Sequence, residues 1–205
     1  MKLSRIKSAC KANQTCIILQ NTKAAQQWLC NGEAAYKLEG IWVDEPSMRA
    51  IFDIPAKKWQ EDWSHQVIEL SELEPEKAEM LSAVWESRHE IELETCDVRV
   101  LWHDEYRRFL TPDKRTVWAV ASDFAPLLGS RYALRTAPGC TPVIAVYNDL
   151  LCEGIVQALS VGAAMRLNEE LSEIINAEVF NDGEFAGIAG ALWPAESRKS
   201  KTGRP

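Results

Sequence analysis

The sequence lacks the features that mark membrane, secreted and metal-binding proteins. No apolar run approaches the ~20 residues of a membrane-spanning helix, and the basic first turns contain no apolar stretch long enough for a signal peptide. The six cysteines include no C-x-x-C pair, which excludes zinc-knuckle and thioredoxin-like sites and predicts reduced, mostly buried thiols. We therefore expect a cytoplasmic protein without membrane contact.

Motifs with a defined chemistry are missing as well. No glycines fall at the spacing of a P-loop or a dinucleotide fingerprint, and neither G-x-S-x-G nor H-E-x-x-H occurs. An enzyme would have to assemble its site from distant residues, such as His103, Asp104 and Cys96. His103 and Asp104 lie at a predicted hairpin tip, where polar residues gather in any case. We predict no cofactor and no metal, and we expect a binding function rather than catalysis.

Charge is distributed unevenly along a chain whose net charge is −7. Residues 61–97 contain twelve acidic and two basic residues, whereas residues 98–135 contain seven basic and four acidic residues. The overall negative charge argues against coating of nucleic acid or of anionic membranes. Basic residues that are clustered locally, with aromatic residues between them, nevertheless leave a DNA-associated function as an alternative. Its candidate contacts are Lys2, Arg5, Lys7, Lys11, Arg107 and Arg115.

The rest of the chain is organised around Thr141–Leu159, which predicts a tight hairpin. Two apolar runs, Val143–Tyr147 and Leu150–Ala158, flank the turn Asn148-Asp149. Both arms are nearly free of charge, which is typical of strands covered on both faces.

A three-stranded meander is predicted near the start of the chain, with Asn31-Gly32 as its second turn. That turn would set Cys30 opposite Glu33 and Trp28 opposite Ala35. The predicted strands are Thr15–Leu19, Ala25–Cys30 and Glu33–Leu38.

Helices and further strands follow from periodicity and capping signals. Asp44 predicts the start of a short helix that Pro55 ends. Pro75 and neighbouring glutamates predict the start of a long one, whose acidic end at Glu90 predicts fraying or a transition into strand. The predicted helices are Leu3–Ala12, Lys57–Trp63, Glu74–Leu93 and Gly162–Ala177, and the further strands are Gln66–Leu70, Val98–His103, Tyr106–Leu110, Arg115–Ala121 and Arg131–Thr136.

These elements predict an α+β fold. Antiparallel meanders and hairpins, about six strands in the main sheet, would be covered by two main amphipathic helices, Glu74–Leu93 and Gly162–Ala177. We expect one domain over residues 1–194, with a potential subdivision near residues 70–97, and a disordered basic tail over residues 195–205.

Two stretches resemble uncharacterised accessory proteins of bacteriophages and prophages of Gram-positive bacteria. The resemblance rests on Trp28, Gly32, Ala35, Tyr36, Leu38, Ile51–Ile54 and Ile144–Tyr147. The alternation of short helices and meanders is also loosely similar to processivity clamps, in which basic helices such as Leu3–Ala12 would line a DNA channel. The resemblance implies a non-catalytic binding protein with a protein partner, and it implies no catalytic residue. Homo-oligomerisation is compatible with such a function, and a sliding-clamp-like protein and a small enzyme are the alternatives.

Overall fold

The computed structural model of the chain describes residues 3–75, 90–136 and 140–180, and the side chains of the last range as far as residue 173. The described residues form ten strands and four α-helices. The helices are α1 (Leu3–Asn13), α2 (Glu45–Phe52), α3 (Ala56–Asp62) and α4 (Val161–Phe180). The strands are β1 (Thr15–Asn21), β2 (Gln26–Cys30), β3 (Ala34–Leu38), β4 (Ser64–Glu69), β5 (Glu90–Leu101), β6 (Glu105–Leu110), β7 (Thr116–Val120), β8 (Arg131–Arg135), β9 (Val143–Asn148) and β10 (Leu151–Gln157).

All ten strands belong to one sheet, in the order β4-β1-β2-β3-β10-β9-β8-β5-β6-β7. Every neighbouring pair is antiparallel except β1 and β4, which run parallel. The predicted α+β class with antiparallel hairpins is therefore confirmed. The predicted sheet of about six strands is wrong, because β3 pairs with β10 and so joins the early meander to the later strands.

The sheet also closes on itself over part of its width. An isolated antiparallel bridge joins Ala119 of β7 to Ala158, which follows β10, and the backbone N–H of Leu159 donates to the carbonyl oxygen of Trp118 at 2.8 Å. Strands β7, β6, β5, β8, β9 and β10 therefore form a closed circuit. Beyond Ser160 the chain leaves the sheet and enters α4.

Helices α1, α2 and α3 pack on one face of the sheet. Their buried side chains, including Ile6, Met48, Phe52 and Trp59, lie in the largest hydrophobic cluster, together with every second residue of the central strands. The side chain of Asp44 caps α2 by accepting from the N–H of Ser47 at 2.8 Å, as predicted. The ten strands dominate the fold, so the prediction that two main helices cover the sheet gives the helices too large a share.

The two long predicted helices have different outcomes. Gly162–Ala177 is confirmed as α4, whose Leu167 is buried against β7 and β5. Of Glu74–Leu93, residues 76–89 lie outside the described residues, and residues 90–93 are the beginning of β5. The helix prediction is wrong there because Ile91 and Leu93 pair with β8 and Glu90 forms a 2.7 Å ion pair with Arg135. The expected transition into strand near Glu90 is thus confirmed.

Both predicted hairpin turns form, each with its loop one residue later than expected. In the later hairpin Asn148 pairs with Leu151, which leaves Asp149 and Leu150 in the loop. In the early meander Cys30 pairs with Ala35, not with Glu33, and Trp28 pairs with Lys37, not with Ala35. The reason is that the Asn31 side-chain oxygen accepts from the N–H groups of Glu33 and Ala34 and draws Asn31 into the ladder.

Asn31 also anchors this turn to a buried aspartate. Its side-chain nitrogen donates to Oδ1 of Asp123 at 2.9 Å, and the hydroxyl of Tyr36 donates to the Asp123 backbone carbonyl at 3.1 Å. Oδ2 of Asp123 has no hydrogen-bond partner in the described part of the chain. Burial disfavours the charged carboxylate, which raises the pKa of Asp123 from 3.8 to about 6.

Loop 125–130 lies directly on β9 and β10. The Glu153 carboxylate accepts from the N–H groups of Leu128 and Gly129, at 2.8 and 3.1 Å. A Cβ atom added to Gly129 would lie 2.3 Å from the carbonyl oxygen of Tyr147. Only glycine therefore permits this approach.

We expect Gly129→Ala to lower the free energy of unfolding by about 2–3 kcal/mol, because the new methyl group meets backbone that cannot move away. The matched control is Gly162→Ala in the first turn of α4, where nothing lies within 4 Å of the added carbon. Alanine has a higher helix propensity than glycine, so we expect Gly162→Ala to raise the free energy of unfolding by about 0.5–1 kcal/mol. Urea denaturation measures both. Equal effects of the two substitutions would contradict the proposed packing of the loop.

We expect Asp123→Asn to flatten the dependence of stability on pH. Between about pH 4 and pH 6 the folded protein holds the Asp123 proton more tightly than the unfolded chain, so wild-type stability falls as pH rises through this window. The Asp123 contribution to that fall is at most about 3 kcal/mol. The stability of the variant relative to wild type should therefore be higher at pH 8 than at pH 4. Urea denaturation at both pH values measures this difference. Asp149→Asn, at an exposed turn, controls for the change in net charge. If the stability difference between Asp123→Asn and wild type is the same at pH 4 and pH 8, the raised pKa of Asp123 is contradicted.

Candidate functional site

The described residues form a groove of about 800 Å³ between the β6–β7 hairpin, the first residues of β5, the last of β8 and helix α4. Apolar side chains dominate its walls, and three of them are partly exposed: Ile91 at 43 %, Val161 at 69 % and Met165 at 57 %. Volume and composition lie in the range of ligand sites, about 300–1,000 Å³ and mostly apolar. The lining residues are Ile91, Thr111, Pro112, Asp113, Arg115, Thr116, Val117, Trp118, Leu134, Thr136, Pro142, Ala158, Leu159, Val161, Ala164, Met165 and Asn168.

The wall formed by α4 follows from its helical period. Val161, Ala164, Met165 and Asn168 lie at i, i+3, i+4 and i+7, on one stripe of the helix. Asn168 fixes this stripe against the sheet, because its side-chain oxygen accepts from the indole N–H of Trp118 at 3.0 Å. Trp118 is buried, so a packed and hydrogen-bonded side chain forms the floor of the groove where β7 meets α4.

The polar end of the groove is the tip of the β6–β7 hairpin. The Asp113 carboxylate accepts from the Thr111 hydroxyl and from the Arg115 guanidinium. These hydrogen bonds, that of Thr111 first, hold the pKa of Asp113 below its usual range. A carboxylate stabilised in this way is a weak general base, so the hairpin tip favours recognition over proton transfer.

Strand β7 presents a backbone edge to the groove. The N–H of Thr111 donates to the carbonyl of Arg115 at 3.0 Å, which makes 111 and 115 a hydrogen-bonded pair in the β6–β7 ladder. Because such pairs alternate in an antiparallel ladder, Thr116 and Trp118 direct their backbone groups away from β6. The Trp118 carbonyl already accepts from the N–H of Leu159, which leaves Thr116 on the unpaired part of this edge. In the described residues, the bridge between Ala119 and Ala158 is the one β-pairing recorded on that side of β7.

Two of the predicted nucleic-acid contacts on α1 are engaged within the chain. Lys2 lies outside the described residues. On α1, Arg5 donates to the carbonyl of Ala125 at 2.7 Å and Lys7 to that of Ile51 at 3.2 Å, whereas Lys11 is exposed.

Arg107 and Arg115 are also engaged within the chain. The Arg107 guanidinium lies over the rings of Phe109, Phe124 and Tyr132, at 4.9–5.7 Å from their centroids. Arg115 forms an ion pair with Asp113. DNA contact by these residues stays a prediction.

The residues of the enzyme alternative lie on the β5–β6 hairpin. His103 and Asp104 are in its turn, where the His103 ring lies 4.6 Å from that of Trp102. Cys96 is partly buried within β5, in the irregular stretch between Thr95 and Arg99. In the part of the chain that is described, no three His, Cys, Asp or Glu side chains converge in a geometry that could hold a metal ion.

One polar and aromatic cluster escaped sequence reasoning. Oε1 of Glu45, on α2, lies 3.0 Å from His65 Nδ1 and accepts from the Trp59 indole N–H at 2.9 Å. The rings of Trp63 and His65 stack on that of Trp59, at 5.3 and 4.9 Å. The spacing of Trp59 and Trp63 on one helical face was a usable signal, but the position of β4 beside them depends on the parallel pairing with β1.

No helix in the described residues has the combined length and apolar character that a membrane span needs. Comparisons with known proteins give the chain no relative: no protein-family model, no curated protein and no solved structure matches it.

Proposed function

We propose that this protein acts by binding, and that the groove between β7 and α4 holds an extended, largely apolar segment of a partner protein. The observation behind the proposal is the position of the β7 edge along one side of the groove. An extended chain placed there adds a strand to the sheet through its main chain, and its alternate side chains enter the groove.

Apolar side chains supply the second part of the argument. Val161 and Met165 lie one turn apart on the groove stripe of α4, and both are more than half exposed. Ile91 extends the patch from the opposite wall. Exposed apolar residues that cluster along one groove are typical of a binding surface, whereas scattered ones need no explanation.

The polar groups of the groove favour binding over catalysis. Asp113 is bonded to Thr111 and Arg115, and Asn168 is bonded to Trp118. A nucleophile beside an unengaged base would favour catalysis, and among the described residues that line the groove there is neither histidine nor cysteine. The phage or prophage origin and the cytoplasmic location stay predictions from the sequence, as do the single domain over residues 1–194 and the basic tail.

A direct test uses a fluorescein-labelled synthetic peptide of about ten alternating valine and threonine residues, which is longer than the five residues of β7 and so spans the edge together with the groove beside it. Fluorescence anisotropy should show saturable binding to the purified full chain. A second peptide, with proline in place of each threonine, lacks half of the main-chain N–H donors and should bind at least about tenfold more weakly, a difference of ~1.4 kcal/mol.

Two substitutions locate the binding. Met165→Lys places a charge on the groove stripe of α4, and Thr116→Pro removes an N–H that faces the groove and leaves the β6 ladder intact. We expect each to weaken peptide binding about tenfold. Glu170→Gln makes the same change in net charge as Met165→Lys on an exposed position of α4 outside the groove, and it should bind as wild type does.

Equal affinity of all three variants would show that the groove is not the binding site. Turnover of any compound in a nucleotide and metabolite panel, preserved in Met165→Lys, would replace the binding proposal with the enzyme alternative. Steep weakening of DNA binding with rising salt would favour the clamp-like alternative.

A further inference from the structure

The groove has apolar side chains on both sides of the β7 strand. The side chain of Trp118 points to the α4 side, where it packs in one cluster with Leu167. Thr116 lies two residues earlier in the strand, so its side chain points to the same side. Val117, between them, points to the other side and packs against the largest hydrophobic cluster. A strand added beside β7 therefore lies between two surfaces.

Each of these surfaces is a wall of the groove. The helix wall is Val161, Ala164 and Met165, and the strand wall is Ile91, Val117 and Leu134. Ile91 pairs with Leu134 across β5 and β8, so the two side chains share one face of the sheet. Leu134 and Val117 both pack against the largest hydrophobic cluster, which places the strand wall on the side of the sheet away from α4.

The two walls contact different positions of a bound strand. Paired residues of neighbouring strands point to the same face, so the residue that pairs with Thr116 points to the helix wall. Successive side chains of a strand alternate between its faces. The residues before and after that position therefore point to the strand wall, as Val117 does.

Coverage on both faces decides which sequence fits. A strand with one face in water alternates apolar and polar residues, whereas a strand covered on both faces is a nearly continuous apolar run. In the groove, a polar side chain at either kind of position would meet an apolar wall and would lose its hydrogen bonds to water. Alternation alone is consequently a poor match to this site.

We infer that the groove selects a continuous run of at least three apolar residues in the partner, the middle one on the helix wall and its two neighbours on the strand wall. The inference rests on the proposed function and specifies the chemistry of the segment that binds there. The main chain of Thr116 holds the run at the edge of β7, and the two walls read its side chains.

Four fluorescein-labelled peptides test the selection. Each has a central triplet flanked on both sides by two threonines and a terminal lysine, and the triplet contains three valines, valines at the two outer positions, one valine in the middle or three threonines. Valine and threonine are both β-branched and favour strands, so the series varies mainly in polarity. Fluorescence anisotropy with the full chain should show that three valines bind at least about tenfold more tightly than the outer pair. The peptide with three threonines should bind most weakly.

Two substitutions assign the walls. Met165→Gln removes apolar surface from the helix wall, and Ile91→Thr removes it from the strand wall. Both positions are partly exposed, so the fold should survive, which the urea unfolding midpoint verifies. Met165→Gln should abolish the roughly tenfold gain from the middle valine, and Ile91→Thr should abolish the gain from the outer valines. Glu170→Gln, on an exposed position of α4 outside the groove, should keep both gains.

The outcomes separate this inference from the proposed function. If the peptides with three valines and with outer valines bind equally tightly, and Met165→Lys weakens both, the groove binds a segment but does not select a continuous run. That result overturns the inference alone. If none of the peptides binds, including the longer alternating one, the inference and the proposed function are both overturned. Gains that persist in Met165→Gln and in Ile91→Thr would place the run outside the groove and would also overturn the inference.

Discussion

Pairing of β3 with β10 is the constraint on which the rest of the structure depends. Three residue pairs, Tyr36 with Gly154, Ala35 with Ile155 and Ala34 with Val156, join strands that are more than a hundred residues apart in the chain. Gly154 makes the approach tight enough, since a Cβ there would lie 2.6 Å from Leu127 Cδ2 and 2.9 Å from the carbonyl of Ala35. Without this ladder, the early meander and the later hairpins would be two sheets with separate cores.

The groove is a consequence of how the circuit of strands closes. After β10 the chain bonds to β7 through Ala158 and Leu159 and then turns into α4. The helix begins before the ladder can extend to Thr116, so β7 and α4 diverge. Trp118 and Asn168 fix the angle between them. A groove with a partly open backbone edge and an apolar wall is the result of this divergence.

The two ends of the sheet differ in what lies beside them. The β7 edge lies beside α4 and the apolar lining of the groove, which suits a short extended segment. The β4 edge carries Val67 between His65 and Glu69, and the Glu69 carboxylate accepts from the N–H of Thr22 on the β1 side. For the segment proposed to bind at the β7 edge, the main chain would supply most of the attraction, and the side chains of the groove would decide which segment fits.

The sequence by itself determined the local elements: α1, the Asp44 cap of α2, the early meander, α4 and the hairpin of β9 and β10. Their signals are apolar periodicity, capping residues and residues that tolerate positive φ, and all of these act within a few positions. The DNA contacts, the enzyme alternative and the prophage resemblance remain predictions, because they concern a partner, a reaction and an origin rather than contacts within the chain.

Tertiary structure alone decided the features that carry the candidate function. Asn31, whose side chain shifts the first hairpin by one residue, is anchored to Asp123, far along the chain. Glu90 begins a strand because Arg135 and β8 lie beside it. The groove and the parallel neighbour of β4 likewise join residues far apart in the chain. The physical reason is common to all: a strand satisfies its backbone through a neighbour, and the identity of that neighbour depends on the whole chain.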